Sequence, residues 1–190
     1  VTAADNSLVA VVDKRGSSLG DLPNTISIMS RRSTDNGKNW SEPVVVAQGG
    51  NGKTYGDPAV VLDKKTGNLI CMFVGDQGLW NATPYNRQGI YVSKSTDNGV
   101  SWSEPVAITD QVYANHSGWY AGFAGSGHGL CLKDGRLMFV LAIRATSATG
   151  VPLHNYAIYS DDGGDNWTLS TNAATTVGDE AKVVELEDWD

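Results

Sequence analysis

One eight-residue pattern, Ser-x-Asp-x-Gly-x-x-Trp, occurs three times in this chain of 190 residues. The copies begin at Ser33, Ser95 and Ser160, so their starts are 62 and then 65 residues apart. A repeat at a nearly constant spacing predicts one structural unit that is used several times, with connections of varying length.

The residue types in the pattern suit a tight turn between two strands. Ser and Asp side chains can bond to the backbone of such a turn, and Gly tolerates a positive φ. Trp supplies a large apolar face and an N–H group that needs a partner. We therefore expect each copy to stabilise a β-hairpin rather than to act in catalysis. The residues concerned are Ser33, Asp35, Gly37 and Trp40; Ser95, Asp97, Gly99 and Trp102; and Ser160, Asp162, Gly164 and Trp167.

Composition narrows the possible functions. A formal charge of −7 argues against a nucleic-acid partner, because contacts to phosphates need clustered Lys and Arg. No apolar run is long enough to predict a membrane-spanning segment. Cys71 and Cys131 lack metal-ligand spacing, so we expect buried free thiols. The third copy of the repeat lacks the acidic spacing of a calcium loop, and we expect neither a metal nor another cofactor.

Strand-like segments surround every copy of the repeat, and no segment shows a 3.6-residue period over a helical length. Four antiparallel strands in each of several units is the pattern of β-propeller blades. A flat β-sandwich would not predict one such hairpin per unit. We predict an all-β chain that covers about three four-stranded blades, with an opening strand of the next blade at Ala181–Leu186. The predicted units are residues 1–48, 49–110 and 111–176, followed by the start of a fourth at 177–190.

Loops at one end of a propeller converge on its axis, so residues of different blades can share a site. Arg15 and Asp21 lie on one such loop, where a surface ion pair is the alternative explanation. Asp57 and Glu180 each precede an apolar segment, as an ordinary turn residue also could. The insert at 111–129 is rich in aromatic residues, which predicts either a stacking wall for a sugar or packing of the loop against the core.

Taken together, these motifs resemble the bacterial-type exo-sialidase (neuraminidase) family, in which the repeats are called Asp boxes. In chain order the resemblance is carried by the three boxes and four other motifs. These are Asp13-x-Arg15 with Asp21 six residues after the arginine, Gly56-Asp57-Pro58, the run Gly125–Leu130 and the run Glu180–Leu186. Asp boxes alone also occur in non-catalytic propellers, so the order of the other motifs carries most of the weight.

The resemblance implies part of a six-bladed propeller that releases terminal sialic acids from glycoconjugates with retention. Asp21 matches the acid/base aspartate of the family, and Glu180 matches the glutamate that activates a tyrosine nucleophile. These two residues are 159 positions apart, so we expect them to meet only when the ring closes.

The resemblance also implies a set of substrate-binding residues. Arg15 and Asp57 match residues near the 4-hydroxyl of the sugar, Trp80 is expected to wall the N-acetyl pocket, and His128 is expected near the pocket floor. The arginine triad and the tyrosine of the family match nothing in this chain, so the chain alone is expected to be inactive. The arginines outside those motifs are Arg31, Arg32, Arg87, Arg136 and Arg144.

Two alternatives stay open. The first is a trans-sialidase, or a relative that acts on another acidic sugar. The second is a non-catalytic Asp-box propeller that binds glycans or proteins. The expected partners are sialylated glycans and the remaining propeller blades of the same protein. Because such glycans are extracellular, we expect a secreted, periplasmic or cell-surface location.

Overall fold

The structure is a computed structural model and describes residues 1–16, 18–125 and 127–186. Ser126 of the Gly125–Leu130 motif and residues 187–190 of the predicted fourth unit lie outside the described ranges. The described elements are β1 (Leu8–Arg15), β2 (Ile26–Ser33), β3 (Val44–Ala47), β4 (Tyr55–Leu62), β5 (Leu69–Gly75), β6 (Gly89–Ser95), β7 (Val106–Ala107), α1 (Thr109–Tyr113), β8 (Ala121–Ala124), β9 (Gly127–His128), β10 (Leu130–Cys131), β11 (Leu137–Arg144), β12 (Leu153–Ser160), β13 (Thr168–Leu169) and β14 (Thr175–Gly178).

The strands form three sheets, which confirms the predicted all-β fold. The predicted four strands per sheet are wrong, because the described sheets have three, five and six strands. Sheet 1 has the order β1-β2-β3, and sheet 2 has the order β7-β6-β5-β4-β9. Sheet 3 is built on β10-β11-β12-β13, with β8 also paired to β11 and β14 also paired to β12. All pairings are antiparallel except that of β9 with β4, which joins a strand from the third unit to sheet 2. No sheet closes on itself within the described ranges.

The strand expected at Ala181–Leu186 is wrong, because this segment has no regular secondary structure. Hydrogen bonds of side chains hold it in place instead of a ladder between backbones. Lys182 Nζ donates to the carbonyl oxygen of Gly125 at 2.6 Å, and the Glu185 carboxylate accepts the backbone N–H of Lys133. The short helix α1 and the strand β8 were not predicted; both lie in the aromatic insert.

The three Asp boxes share one hydrogen-bond pattern. In each box the Ser hydroxyl donates to the Asp carboxylate at 2.8 Å and accepts the N–H of the box Gly. The same carboxylate accepts the backbone N–H four residues after itself at 2.9 Å. The box glycines have φ values of 82°, 84° and 85°, in the left-handed region where a side chain would be strained. The predicted turn chemistry is therefore confirmed.

The second and third boxes also pack against the preceding sheet. A Cβ on Gly99 would lie 3.0 Å from Val9 of β1, and Trp102 Nε1 donates to the hydroxyl of Ser30 on β2 at 2.9 Å. A Cβ on Gly164 would lie 3.3 Å from Ile70 of β5. The boxes therefore determine how closely two neighbouring sheets approach, a role that the turn pattern alone did not predict.

Apolar side chains fill the spaces between the sheets. Between sheets 2 and 3, Ile70 and Met72 pack with Phe139 and Leu141. A smaller cluster joins all three sheets beneath the loops at one end and comprises Leu22, Ile26, Val74, Phe123, Ala142 and Leu153. This cluster fixes the loops of three sheets relative to one another.

Two smaller expectations can be compared with the structure. Cys71 and Cys131 are buried free thiols, as predicted. None of the helices in the described ranges has the length and apolarity to cross a membrane.

The box geometry predicts that Asp97→Ala destabilises the fold without altering the candidate site. The change removes the acceptors of Ser95 and Ser101 and should lower the free energy of unfolding by about 1–2 kcal/mol, as for hydrogen bonds to a partly exposed charged group. Denaturant unfolding of the full-length protein measures this loss.

Thr96→Ala is the matched control, since Thr96 is the exposed neighbour within the same turn. It should leave stability unchanged. A loss of activity per folded molecule in Asp97→Ala, at unchanged stability, would contradict the structural role of the box.

Candidate functional site

Loops from all three sheets meet at one end of the structure and surround two adjoining cavities. The first has a volume of about 180 Å³, and the second has a volume of about 570 Å³. Asp21, Asp57 and Glu180 line both. Asp21 follows β1, Asp57 lies in β4, and Glu180 follows β14, so each acidic residue comes from a different sheet.

This convergence corrects the expectation that Asp21 and Glu180 meet only when a ring closes. Three sheets side by side are sufficient, because glycines allow close contact between the loops. A Cβ on Gly56 would lie 2.4 Å from the Leu22 side chain. A Cβ on Gly125 would lie 3.2 Å from the Cα of Glu180, so the 180–181 segment can cross directly over it.

Arg15 lies between two of the acidic residues. Its Nη2 atom is 2.8 Å from Asp21 Oδ1 and 3.2 Å from Asp13 Oδ2. The Asp21 side chain is 79% exposed, whereas the Asp13 side chain is largely buried. The alternative explanation offered by the sequence, a surface ion pair, therefore holds for the contact of Arg15 with Asp21. The same two residues also line the larger cavity.

Asp57 is the most perturbed acid of the site. Burial, followed by the nearby charges of Asp13, Asp21 and Glu180, raises its pKa to about 6, and Arg15 opposes this shift. Its φ is 53°, an unfavourable value for a residue with a side chain, and it interrupts the register of β4 with β5. Strain and an elevated pKa at one carboxyl are typical of functional sites.

Asp13 adds a fourth carboxyl group to this cluster. Burial is the main cause that raises its pKa, and its Oδ1 atom is buried without a hydrogen-bond partner among the described residues. Four carboxyl groups around one guanidinium leave the site with an excess of negative charge when all are ionised. Proton uptake is the cheapest way to relieve that repulsion.

Apolar residues wall the smaller cavity. Trp80 lines it, as expected, together with Leu22, Leu79 and Phe123. Of the aromatic insert, Phe123 thus contributes to the cavity. Tyr113 and Trp119 are buried in the core between sheets 2 and 3, where loop packing is the correct explanation.

His128 does not line either of the cavities that contain the acidic cluster. It lies on β9, whose pairing with β4 carries it along the inner edge of sheet 2. There it borders a neighbouring cavity with Val1 and Leu8. Its expected place near the pocket floor is therefore not supported by the geometry.

Sequence reasoning missed three polar residues of the site. Asn81 and Gln88 line the smaller cavity, and the Gln88 amide has a buried Oε1 atom without a partner among the described residues. Arg144 lies behind Trp80, with its guanidinium carbon 5.5 Å from the indole centroid. Gln88 and Arg144 belong to no recognisable motif, and Asn81 belongs only to an Asn-Ala-Thr sequon, which does not indicate a place in a cavity.

A separate cavity of about 410 Å³ lies beside the first Asp box and is lined by Arg32, Asp35 and Trp40. Its carboxylate, Asp35, already accepts bonds from Ser33 and Asn39 within the box. The cavity therefore offers no spare acid or base, and the acidic cluster is the better candidate site.

The arrangement can bind a small polar ring and transfer protons to it. An exposed carboxyl, a second carboxyl and aromatic side chains that line the same cavity suit acid–base chemistry on a sugar. The catalytic and binding roles of Asp21, Glu180, Arg15, Asp57, Trp80 and His128 stay predictions at this point.

Comparison with known proteins identifies the family. A model of the BNR repeat-like domain matches residues 1–189. A sialidase of Bacteroides fragilis is 34% identical over 206 aligned residues, which cover 98% of this chain and 36% of that protein. The chain thus spans about a third of the length of this relative.

Solved structures agree with this result. The Hadza microbial sialidase Hz136 has a TM-score of 0.88 and 30% identity, covering 98% of this chain and 39% of its own. A leech intramolecular trans-sialidase, at 18% identity and a TM-score of 0.82, covers 98% of this chain and 45% of its own, and shows the same fold. The chain therefore belongs to the BNR repeat-like family, and the relatives that it matches include bacterial sialidases.

Proposed function

We propose that the full-length protein containing this chain is a retaining exo-α-sialidase that hydrolyses terminal sialic acids from glycoconjugates. In this proposal the chain forms about half of a six-bladed propeller. The remaining blades supply the arginine triad that binds the carboxylate of the sugar and the tyrosine nucleophile. Extracellular glycans as substrates imply a secreted, periplasmic or cell-surface enzyme.

The observation that carries the proposal is the meeting of Asp21, Asp57 and Glu180 in one pair of cavities. These residues come from three sheets, and each matches a position of the sialidase motifs. Concentrating carboxyl groups destabilises a fold, and a cleft that holds a strongly perturbed acid is typical of functional sites.

Asp21 is proposed as the general acid and base. Its carboxyl group is exposed at the rim of the cavity, where the leaving group of a terminal sugar would pass. It would donate a proton to the glycosidic oxygen and later remove one from the attacking water. Arg15 contacts the same carboxyl group and so fixes its position.

Glu180 is proposed as the base that activates the tyrosine. A neutral phenol approaches an anionic sugar without the repulsion that a carboxylate nucleophile would meet, and a nearby glutamate can accept its proton. The Glu180 segment crosses Gly125 and is tied down by Lys182, which keeps the glutamate on the cavity.

A trans-sialidase is the second candidate, since the leech protein named above is one. The two reactions share the same glycosyl-enzyme step and differ in whether water or another hydroxyl accepts the sugar. Product analysis with sialyllactose distinguishes them. A non-catalytic glycan-binding propeller is less well supported, because binding alone does not need the acidic cluster.

Replacing the proposed acid should affect substrates according to their leaving group. Asp21→Ala in the full-length protein should lower kcat/KM, which reports the steps up to departure of the leaving group, by about 10²–10⁴-fold for natural sialosides, the usual contribution of a general acid. Aryl sialosides with an acidic phenol should lose far less, since their leaving group needs little protonation. Steady-state kinetics on both substrates provide the measurement.

Asp110→Ala serves as the control, because it removes an exposed acid on α1 away from the cavities. It should leave both rates unchanged. Equal losses on both substrates in Asp21→Ala would refute its role as the acid.

The raised pKa of Asp57 predicts a stability change with pH. Between about pH 4 and pH 6 the folded protein keeps a proton on Asp57 that the unfolded chain has released. The free energy of unfolding should therefore fall as pH rises through this range, by on the order of 1–3 kcal/mol. Asp57→Asn should remove this fall.

The measurement is denaturant unfolding at several pH values for the wild type, for Asp57→Asn and for a control variant. The control is Glu42→Gln, which changes an acid on an exposed loop. The free energy of unfolding of Asp57→Asn minus that of the wild type should increase from pH 4 to pH 7. Parallel curves would show that Asp57 titrates normally.

A further inference from the structure

Arg144 is a buried cation for which the proposed reaction gives no role. It is the last residue of β11 and is only 3% exposed. Among the described residues, none of the ion pairs includes it. Burying a charge without a partner is costly, so its surroundings must compensate in another way.

Four backbone carbonyl oxygens replace a carboxylate. Nη1 of Arg144 donates to the oxygens of Leu79 and Ala82 at 2.7 and 3.3 Å. Nη2 donates to the oxygen of Ser147 at 3.1 Å, and Nε donates to that of Ala148 at 3.4 Å. One guanidinium thus joins the β5–β6 loop of sheet 2 to the β11–β12 loop of sheet 3.

Two aromatic rings complete the environment of the guanidinium. Its central carbon lies 5.5 Å from the ring centroid of Trp80 and 4.8 Å from that of Tyr120. Cations at this distance from aromatic rings are attracted to them. The planar, five-donor guanidinium suits four carbonyls and two rings together, which a lysine ammonium does not.

The loop that Arg144 holds is the wall of the smaller cavity. The cavity is lined by Leu79, Trp80 and Asn81. Arg144 bonds the backbone carbonyls at both ends of this segment, those of Leu79 and Ala82. On its other side the loop touches the backbone beside Asp21, since a Cβ on Gly78 would lie only 2.2 Å from the Leu22 oxygen.

We propose that Arg144 is a positioning residue that fixes the Trp80 wall against the sugar and limits the movement of the Asp21 loop. It contacts no reacting atom and acts through the backbone of residues 79–82. The effect on turnover rests on the proposed sialidase function, whereas the effect on the loop does not.

The test compares Arg144→Met and Arg144→Lys in the full-length protein. With an aryl sialoside, KM should rise at least about tenfold in both, while kcat should change less than about threefold, since a misplaced binding wall mainly weakens the bound complex. Lysine should rescue little, because its ammonium has three donors on one nitrogen and cannot reproduce the four bonds that the planar guanidinium makes to the two loops. Amide hydrogen exchange at 79–82, measured without substrate, should be at least about tenfold faster.

Arg87→Met is the matched control. Arg87 also donates to loop carbonyls, of His116 and Ser117, and stacks on Tyr113, but it lines neither of the two cavities. It should lower the melting temperature without changing KM or the exchange at 79–82.

If Arg144→Met lowers the melting temperature but leaves KM and the exchange at 79–82 unchanged, the proposal is overturned and Arg144 is merely structural. Should Arg144→Met fail to fold, the same two measurements on Arg144→Lys decide. A wild type without sialidase activity would refute the proposed function, and the hydrogen exchange would still decide whether Arg144 positions the loop.

Discussion

The close approach of neighbouring sheets at the Asp boxes is the constraint on which the rest of this structure depends. In each box the carboxylate accepts hydrogen bonds from donors of its own turn, and the box glycine forms a rigid corner of that turn. At Gly99 that corner lies against Val9, and at Gly164 it lies against Ile70, where a Cβ would be in unusually tight contact at 3.0 and 3.3 Å. Because the corners set the spacing of the sheets, they also set which loops face each other at the far end. The site is thus a consequence of contacts made elsewhere.

The loops at that far end bring together several carboxyl groups, which is unfavourable for the stability of the fold. Asp13, Asp21, Asp57 and Glu180 lie near a single guanidinium, Arg15, and the elevated pKa of Asp57 reflects first its burial and then the repulsion from the other three carboxyl groups. The apolar cluster of Leu22, Ile26 and Phe123 beneath the loops offsets this cost and keeps the carboxyl groups together. The folded protein can thus keep a proton on Asp57 up to about pH 6.

The sequence predicted the fold well because its signals were local. The pattern Ser-x-Asp-x-Gly-x-x-Trp predicts a turn directly, and the spacing of its copies predicts the length of the repeated unit. Asp21, Asp57 and Glu180 were chosen through motif order and line both cavities, whereas Trp80 was chosen from its loop position and lines the smaller one. Their roles stay predictions. The strand at Ala181–Leu186 failed because an apolar pattern shows only that a strand can form. Strand formation also needs a partner, and here side-chain bonds from Lys182 and Glu185 hold the segment instead.

The residues that escaped prediction share one physical property: their partners are backbone atoms or ring faces on distant loops. Arg144 shows why such residues are invisible in a sequence. Carbonyl oxygens accept its bonds at positions 79, 82, 147 and 148, and any residue type could supply them. Only the arginine itself and the course of the two loops therefore define this arrangement. Arg144 has no acidic partner among the described residues and is buried behind an aromatic wall. These surroundings indicate that it supports the wall rather than binds the anionic sugar.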